Sequence, residues 1–200
     1  TFAPKCKFLA GAFGKLIDWQ IEEGINALVI CGTTGEASTL SDEEHRDAIR
    51  FAVERANRRV PIIAGTGSNN TEYAIDLTRF ACEAGVDGVL VVTPYYNKAT
   101  QNGLIKMFTS IADASTVPVI LYDVPSRTGT AIEPKTVAVL AEHLNIVGLK
   151  AASGNISKIA ETAHLCGDKI AIYSGNDDQT IPIMSLGGKG VISVLANVMP

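Results

Sequence analysis

Lys150 closes a short apolar run, Ile146-Val147-Gly148-Leu149, and is followed by the small residues Ala151, Ala152, Ser153 and Gly154. An apolar run of that length reads as a strand buried on both faces. A lysine at its end stands where a buried sheet meets a pocket. Lysine seldom stays buried unless it is paired or has chemical work to do. Desolvation lowers its pKa, and the neutral amine is a nucleophile towards carbonyl carbon. The plainer alternative is a strand that reaches solvent with its lysine in water. Lys150 taken alone does not separate the two.

Three other stretches carry side chains suited to such chemistry. The turn GTTGE, Gly32 to Glu36, is bracketed by glycines. Its amides suit a carboxylate, and Thr33 and Thr34 add hydroxyls; an ordinary strand-to-helix turn with polar filling is the competing reading. TPYYN, residues 93–97, places Tyr95 beside Tyr96. Adjacent side chains on extended backbone point opposite ways. One tyrosine then faces a site and the other a neighbour or a subunit contact, unless both are packing aromatics. YDVPSRTG, residues 122–129, offers the phenol of Tyr122 and, five residues on, Arg127. Arginine grips a carboxylate through two parallel hydrogen bonds, or forms a structural ion pair. The histidines His45, His143 and His164 are scattered over helical segments and form no HxxxH pair, so no metal site is expected. GNDD, residues 175–178, offers oxygen ligands for a hard cation, but an isolated acidic pair at a helix start is more often a cap. Carbonyl chemistry here would use an amine.

These residues need a scaffold that gathers them. Helical spacing covers residues 12–23, with Gly24 as a stop, and an apolar strand covers 27–31. Ser41 and Glu44 form a capping box for the next helix. Strand then alternates with helix: 60–64, 71–84, 88–92, 103–113, 117–122, a helix from Pro134 to about 143, the Lys150 strand, 156–165, 169–173, 179–186 and 191–195. Seven strands separated by helices make a run of βα units. The strands are continuous apolar runs, so both faces are covered. An open doubly wound sheet and a (β/α)8 TIM barrel short of one strand both fit. No GxGxxG follows the first strand, which leaves the dinucleotide-binding sheet little support. The strand ends carry Thr33, Thr34, Thr66, Thr93, Tyr95, Tyr96, Tyr122, Lys150, Ser174 and Ser193. A parallel barrel brings them all to one rim, where active sites sit.

The 200 residues are enough for one domain or a large part of one, read here as a single incomplete barrel over 1–200. A net charge of −4 gives no basic surface for nucleic acid and no polybasic membrane patch. Cys6, Cys31, Cys82 and Cys166 are widely spaced, which argues for reduced thiols and a cytoplasmic location. No signal peptide, membrane-length apolar run or lipidation motif stands out, and residues 1–10 are irregular.

GTTGE, TPYYNK, YDVPSRTG, GLKAASGN and GVISV, in this order and spacing, resemble the 4-hydroxy-tetrahydrodipicolinate synthase (dihydrodipicolinate synthase) family of pyruvate-dependent class I aldolases. The likeness runs from about Phe13 to Pro200. It implies a (β/α)8 barrel followed by a small helical domain, with the first strand and that domain missing from this chain. It implies no cofactor and no metal. Lys150 would form an imine with pyruvate, and Tyr122 would carry protons, linked through Thr34 to Tyr96 from the adjacent subunit of a dimer of dimers. Thr33 and Thr34 would hold the pyruvate carboxylate, with Ile192 and Gly175 closing the pocket. Arg127 would receive aspartate semialdehyde. A lysine-inhibition cleft would involve Ala37, Ser38, Asp42, His45, Asn69, Tyr73 and Tyr95, where Asp42 and Tyr73 replace the groups some members carry.

Two rivals remain at this point. N-acetylneuraminate lyase and keto-deoxy-sugar aldolases share the lysine and tyrosine, but Arg127 and the second threonine of GTTGE favour the synthase. A non-catalytic, truncated barrel is the other, because a missing strand exposes sheet edges and core.

Overall fold

The computed structural model describes residues 10–200. Cys6 and the irregular start lie outside them, apart from Ala10. The described chain begins with α1 (Ala10–Glu22), whose buried stripe is Gly14, Ile17 and Gln20. Gly24, at φ +94°, ends it. β1 (Leu28–Ile30) leads through the GTTGE turn into α2 (Asp42–Ala56). The capping box forms in full: Glu44 N donates to Ser41 Oγ at 3.2 Å, and Ser41 N donates to Glu44 Oε2 at 3.0 Å. β2 (Ile62–Gly65), α3 (Thr71–Ala84), β3 (Gly88–Val92) and α4 (Gln101–Ala114) continue the alternation. Asn70 and Thr100 cap α3 and α4 with side-chain oxygens. β4 (Val119–Asp123), α5 (Pro125–Thr128), α6 (Pro134–Leu140), β5 (Ile146–Ala151), α7 (Ile156–Cys166), β6 (Ala171–Ser174), α8 (Thr180–Ser185) and β7 (Gly190–Val191) complete it.

The seven strands are all parallel and lie in sequence order, β1 to β7. Among the described residues the sheet is the curled, seven-stranded wall of a (β/α)8 TIM barrel, open between its two edges, β7 and β1. Across that opening Gln20 Nε2 of α1 donates to the Ala196 carbonyl at 2.6 Å.

Alternation along the strands sorts the core into two layers. Outward-facing residues such as Val119, Leu121, Leu149 and Ala151 pack under the helices. Inward-facing Leu90, Ile120, Tyr122, Val124 and Ala152 make a smaller interior cluster. Lys150 lies between outward Leu149 and Ala151, so its side chain must point inward. Gly148, one pleat earlier, leaves room for Ile120, whose Cγ1 would lie 3.2 Å from an added Cβ.

Two elements differ from expectation. The loop after β4 contains a helical turn, α5, with Pro125 at its start and Gly129 at φ +71° at its end. Four residues are too few to show a helical period. The last strand was expected over 191–195, but it pairs only through Gly190 and Val191, with Tyr173 and Ser174. The chain then turns into a 3-10 segment, Leu195–Asn197. The Asp177 carboxylate takes the amides of Val194 and Leu195, which removes them from any ladder.

Candidate active site

β4 and β5 pair so that Tyr122 stands opposite Lys150. The Lys150 Nζ lies 4.3 Å from the Tyr122 ring centroid. Only 9% of the lysine is exposed. Burial is the main cause that brings its pKa down from 10.5 to about 8; Asp177 opposes this and Arg127 adds to it. At pH 8 about half the amine is neutral, against roughly one part in 300 for an ordinary lysine. Burial pushes the Tyr122 phenol above its ordinary value, with the Thr33 hydrogen bond and the Arg127 charge pulling the other way. The phenol is therefore protonated at neutral pH and able to donate.

The relay implied for Tyr122 ran through Thr34. Of the two threonines, Thr33 is the one that acts on the phenol, drawing its pKa down. The segment Thr33–Gly35 is a 3-10 turn, in which neighbouring side chains diverge by about 120°. Thr33 therefore faces Tyr122, and Thr34 lies on the wall beside Lys150.

Two adjoining cavities share Cys31, Gly32, Thr33 and Leu40. One, about 400 Å³, is lined by Tyr122, Arg127, Tyr95 and His45 among others. The other, about 260 Å³, is lined by Thr34, Lys150, Ile192 and Ser193, with Phe13 and Leu16 of α1 towards the opening between β1 and β7. Gly175 sits against the lysine stem. A Cβ there would fall 2.7 Å from that of Ala152 and 3.2 Å from Lys150 Cε. Its visible contribution is this close approach.

Of the paired tyrosines, Tyr95 lines the larger cavity, whereas Tyr96 is 91% exposed at φ +73°. The structure thus brings Lys150, Tyr122, Thr33, Thr34, Arg127, Ile192 and Gly175 to one rim and leaves Tyr96 outside it. Ala37, Ser38, His45, Tyr73 and Tyr95, expected in an effector cleft, line the same cavity as Tyr122 and Arg127. His45 Nε2 is 2.9 Å from the Gly65 carbonyl, and burial lowers its pKa. Tyr73 donates to Asp42 at 2.8 Å, and Asp42 also accepts from Arg46. The Asn69 carbonyl accepts from Asn97 Nδ2 at 3.0 Å. Among the described residues, no three His, Cys, Asp or Glu side chains gather as a metal site, and no helix is long and apolar enough to cross a membrane.

Two carboxylates have roles at the site that the sequence reading did not assign. Asp177 pins the segment after β7. Asp123, at the end of β4, accepts from Ile132 N at 3.0 Å and so anchors the loop carrying Arg127. Burial raises the Asp123 pKa from 3.8 to about 6. A raised carboxyl pKa means the native state holds its proton longer than the unfolded chain. Its stabilisation is full below pH 3.8 and is lost as pH rises through about 6. At pH 7 the loss is on the order of 3 kcal/mol. Asp123→Asn keeps the acceptor for Ile132 and removes the titration. The variant should melt higher than wild type at pH 7 and lose the fall in stability between pH 4 and 6; unchanged melting curves across that range would contradict this.

Matching to known proteins decides the lineage. A sequence model of the Dihydrodipicolinate synthetase family matches residues 1–200. The chain belongs to this family. It is 54% identical over 186 residues to the 4-hydroxy-tetrahydrodipicolinate synthase of Clostridium novyi, covering 93% of this chain and 63% of that protein. The chain therefore spans about 63% of the length of such curated relatives. Its fold superposes on dihydrodipicolinate synthase from Aquifex aeolicus with TM-score 0.97 at 46% identity, covering 100% of this chain and 68% of that one. The same values hold for the Acinetobacter baumannii dihydrodipicolinate synthase complexed with pyruvate.

Proposed function

We propose that this family member condenses pyruvate with L-aspartate 4-semialdehyde through a Schiff base on Lys150, giving 4-hydroxy-tetrahydrodipicolinate for lysine and diaminopimelate synthesis in the cytoplasm. The observation that carries the reading is the desolvated Lys150 amine held against Tyr122 at the ends of β5 and β4. The names of the relatives, and the pyruvate bound by the Acinetobacter protein, support it.

The neutral amine attacks C2 of pyruvate, and the carbinolamine loses water to give an imine. Loss of a C3 proton gives the enamine, whose C3 attacks the aldehyde carbon while the aldehyde oxygen takes a proton. The amine of the added unit then attacks C2, closing the ring and releasing Lys150. Tyr122 and Thr33 handle the protons. Thr34 and the backbone at Ile192 hold the pyruvate carboxylate, and Gly175 leaves room beside the lysine stem. Arg127 grips the carboxylate of the aldehyde. Tyr96, exposed here, completes the proton path in an adjacent copy, within a tetramer built as two tight dimers.

The assay is condensation of the two substrates against cleavage of N-acetylneuraminate and keto-deoxy-sugar acids. Condensation alone is expected. Arg127→Ala should raise KM for the semialdehyde about 10- to 100-fold, and much less for pyruvate, since one charge-assisted contact is lost. Efficient sugar-acid cleavage, or no turnover of any of them, would overturn the proposal.

A further inference from the structure

We propose that Asp177 is a positioning residue that fastens the β7 rim beside Lys150 and, through its bond to Ser193, brings a carboxylate charge to the wall of the cavity that holds the lysine. The inference rests on Lys150 as the Schiff-base lysine. The Asp177 carboxylate accepts from Ser193 Oγ at 2.5 Å, Leu195 N at 3.1 Å and Val194 N at 3.2 Å. Ile192 N donates to the Ser174 carbonyl at 2.8 Å. Ile192 and Ser193 are thus held between the end of β6 and Asp177, and both line the cavity that contains Lys150. Two residues before Asp177, Gly175 passes beside the lysine stem, where an added Cβ would fall 3.2 Å from Lys150 Cε. One short segment therefore leaves room for the lysine, holds what closes over it and carries a charge it meets.

The groups around the amine can be named. Tyr122 faces it from β4, Arg127 acts from α5, Asp177 from the loop after β6, and Cys31 and Glu36 lie on the cavity wall. Asp177 favours the charged lysine and Arg127 opposes it. Partial burial pushes the Asp177 carboxyl up, but the Ser193 and amide hydrogen bonds and the Lys150 charge outweigh it, leaving it below its ordinary value. It stays ionised at neutral pH. A protonated imine carries its positive charge on the same nitrogen as the ammonium. The same carboxylate therefore stabilises it, and that charge is what makes the C3 proton of the bound ketone acidic.

The test measures Lys150 twice. Trace acetylation with acetic anhydride from pH 6 to 11, read by peptide mass, gives its titration midpoint without any substrate. Borohydride trapping with pyruvate gives imine formation. Asp177→Asn removes the charge yet leaves an oxygen for Ser193; its acetylation midpoint should fall by about half a pH unit or more. Ser193→Ala removes one rim bond and no charge. Its midpoint should match wild type, while half-saturating pyruvate rises severalfold. Coinciding midpoints for Asp177→Asn and wild type overturn the charge assignment, and unchanged pyruvate saturation in Ser193→Ala overturns the clamp. If Asp177→Asn does not fold, Ser193→Ala still decides the clamp. If wild type traps no pyruvate, the Schiff-base reading falls, and the acetylation midpoints still judge Asp177.

Discussion

Replacing Lys150 by methionine is expected to abolish the pyruvate adduct and to raise the melting temperature. Methionine fills the space of the stem and brings no charge into the barrel interior. The lysine pKa, lowered to about 8 from 10.5, measures the penalty of holding its ammonium there. At pH 7 that penalty is on the order of 3 kcal/mol. The sign follows from proton counting. The native state gives up its proton at lower pH than the unfolded chain, so wild-type stability rises as pH climbs from about 8 towards 10.5. The methionine variant should start several degrees higher at pH 7 and show no such rise. Turnover should fall roughly 10⁴-fold or more, as when a covalent nucleophile is removed elsewhere. Lys150→Arg is the matched control, because it keeps a charge over the Tyr122 ring without a usable nucleophile. It should lose the adduct and gain no stability. A borohydride adduct surviving in Lys150→Met would place the nucleophile elsewhere. In wild type, trapping should strengthen with pH up to a midpoint near 8.

The difference between what the sequence disclosed and what it hid follows from interaction range. α3 and β3 were legible to the residue, because each is bounded by local signals: the Asn70 cap and Gly85 stop for the helix, and an uninterrupted apolar run for the strand. The Ser41 capping box is likewise a contact between residues three apart. Lys150 and Tyr122 were legible as strand ends, since alternation fixes their direction once their outward neighbours are known. The end of β7 was not. Val191 to Leu195 has strand composition, but Asp177, seventeen residues before Val194, captures its amides. The same distance hid Asp177 behind a local reading as a helix cap. Asp123 was hidden for a related reason: its partner is the amide of Ile132, across a loop whose path only the fold defines. Thr33 and Thr34 were legible as a pair. Which one meets Tyr122 depends on the 3-10 geometry of the turn, which a composition of threonines between glycines leaves open.

Tyr122→Phe should separate imine formation from the proton transfers that follow it. Phenylalanine keeps the ring packed with Leu90 and Ile120 in the interior cluster and keeps an aromatic face 4.3 Å from the amine. Only the phenol oxygen and its interaction with Thr33 are lost. Fold and lysine position should therefore survive, and with them a borohydride adduct on Lys150 that forms more slowly. Overall turnover should fall by roughly 10²- to 10⁴-fold, the usual contribution of a placed general acid–base. Thr33→Val removes only the group that orients the phenol and should cost less, about fivefold, since one neutral polar contact contributes about 1 kcal/mol. The double variant should be no slower than Tyr122→Phe alone, because Thr33 acts through the phenol. Single-turnover measurement of adduct formation beside steady-state condensation gives both quantities. Equal losses in trapping and turnover would mean that Tyr122 serves only to seat the lysine. Losses that multiply in the double variant would give Thr33 a contact of its own with the bound ketone.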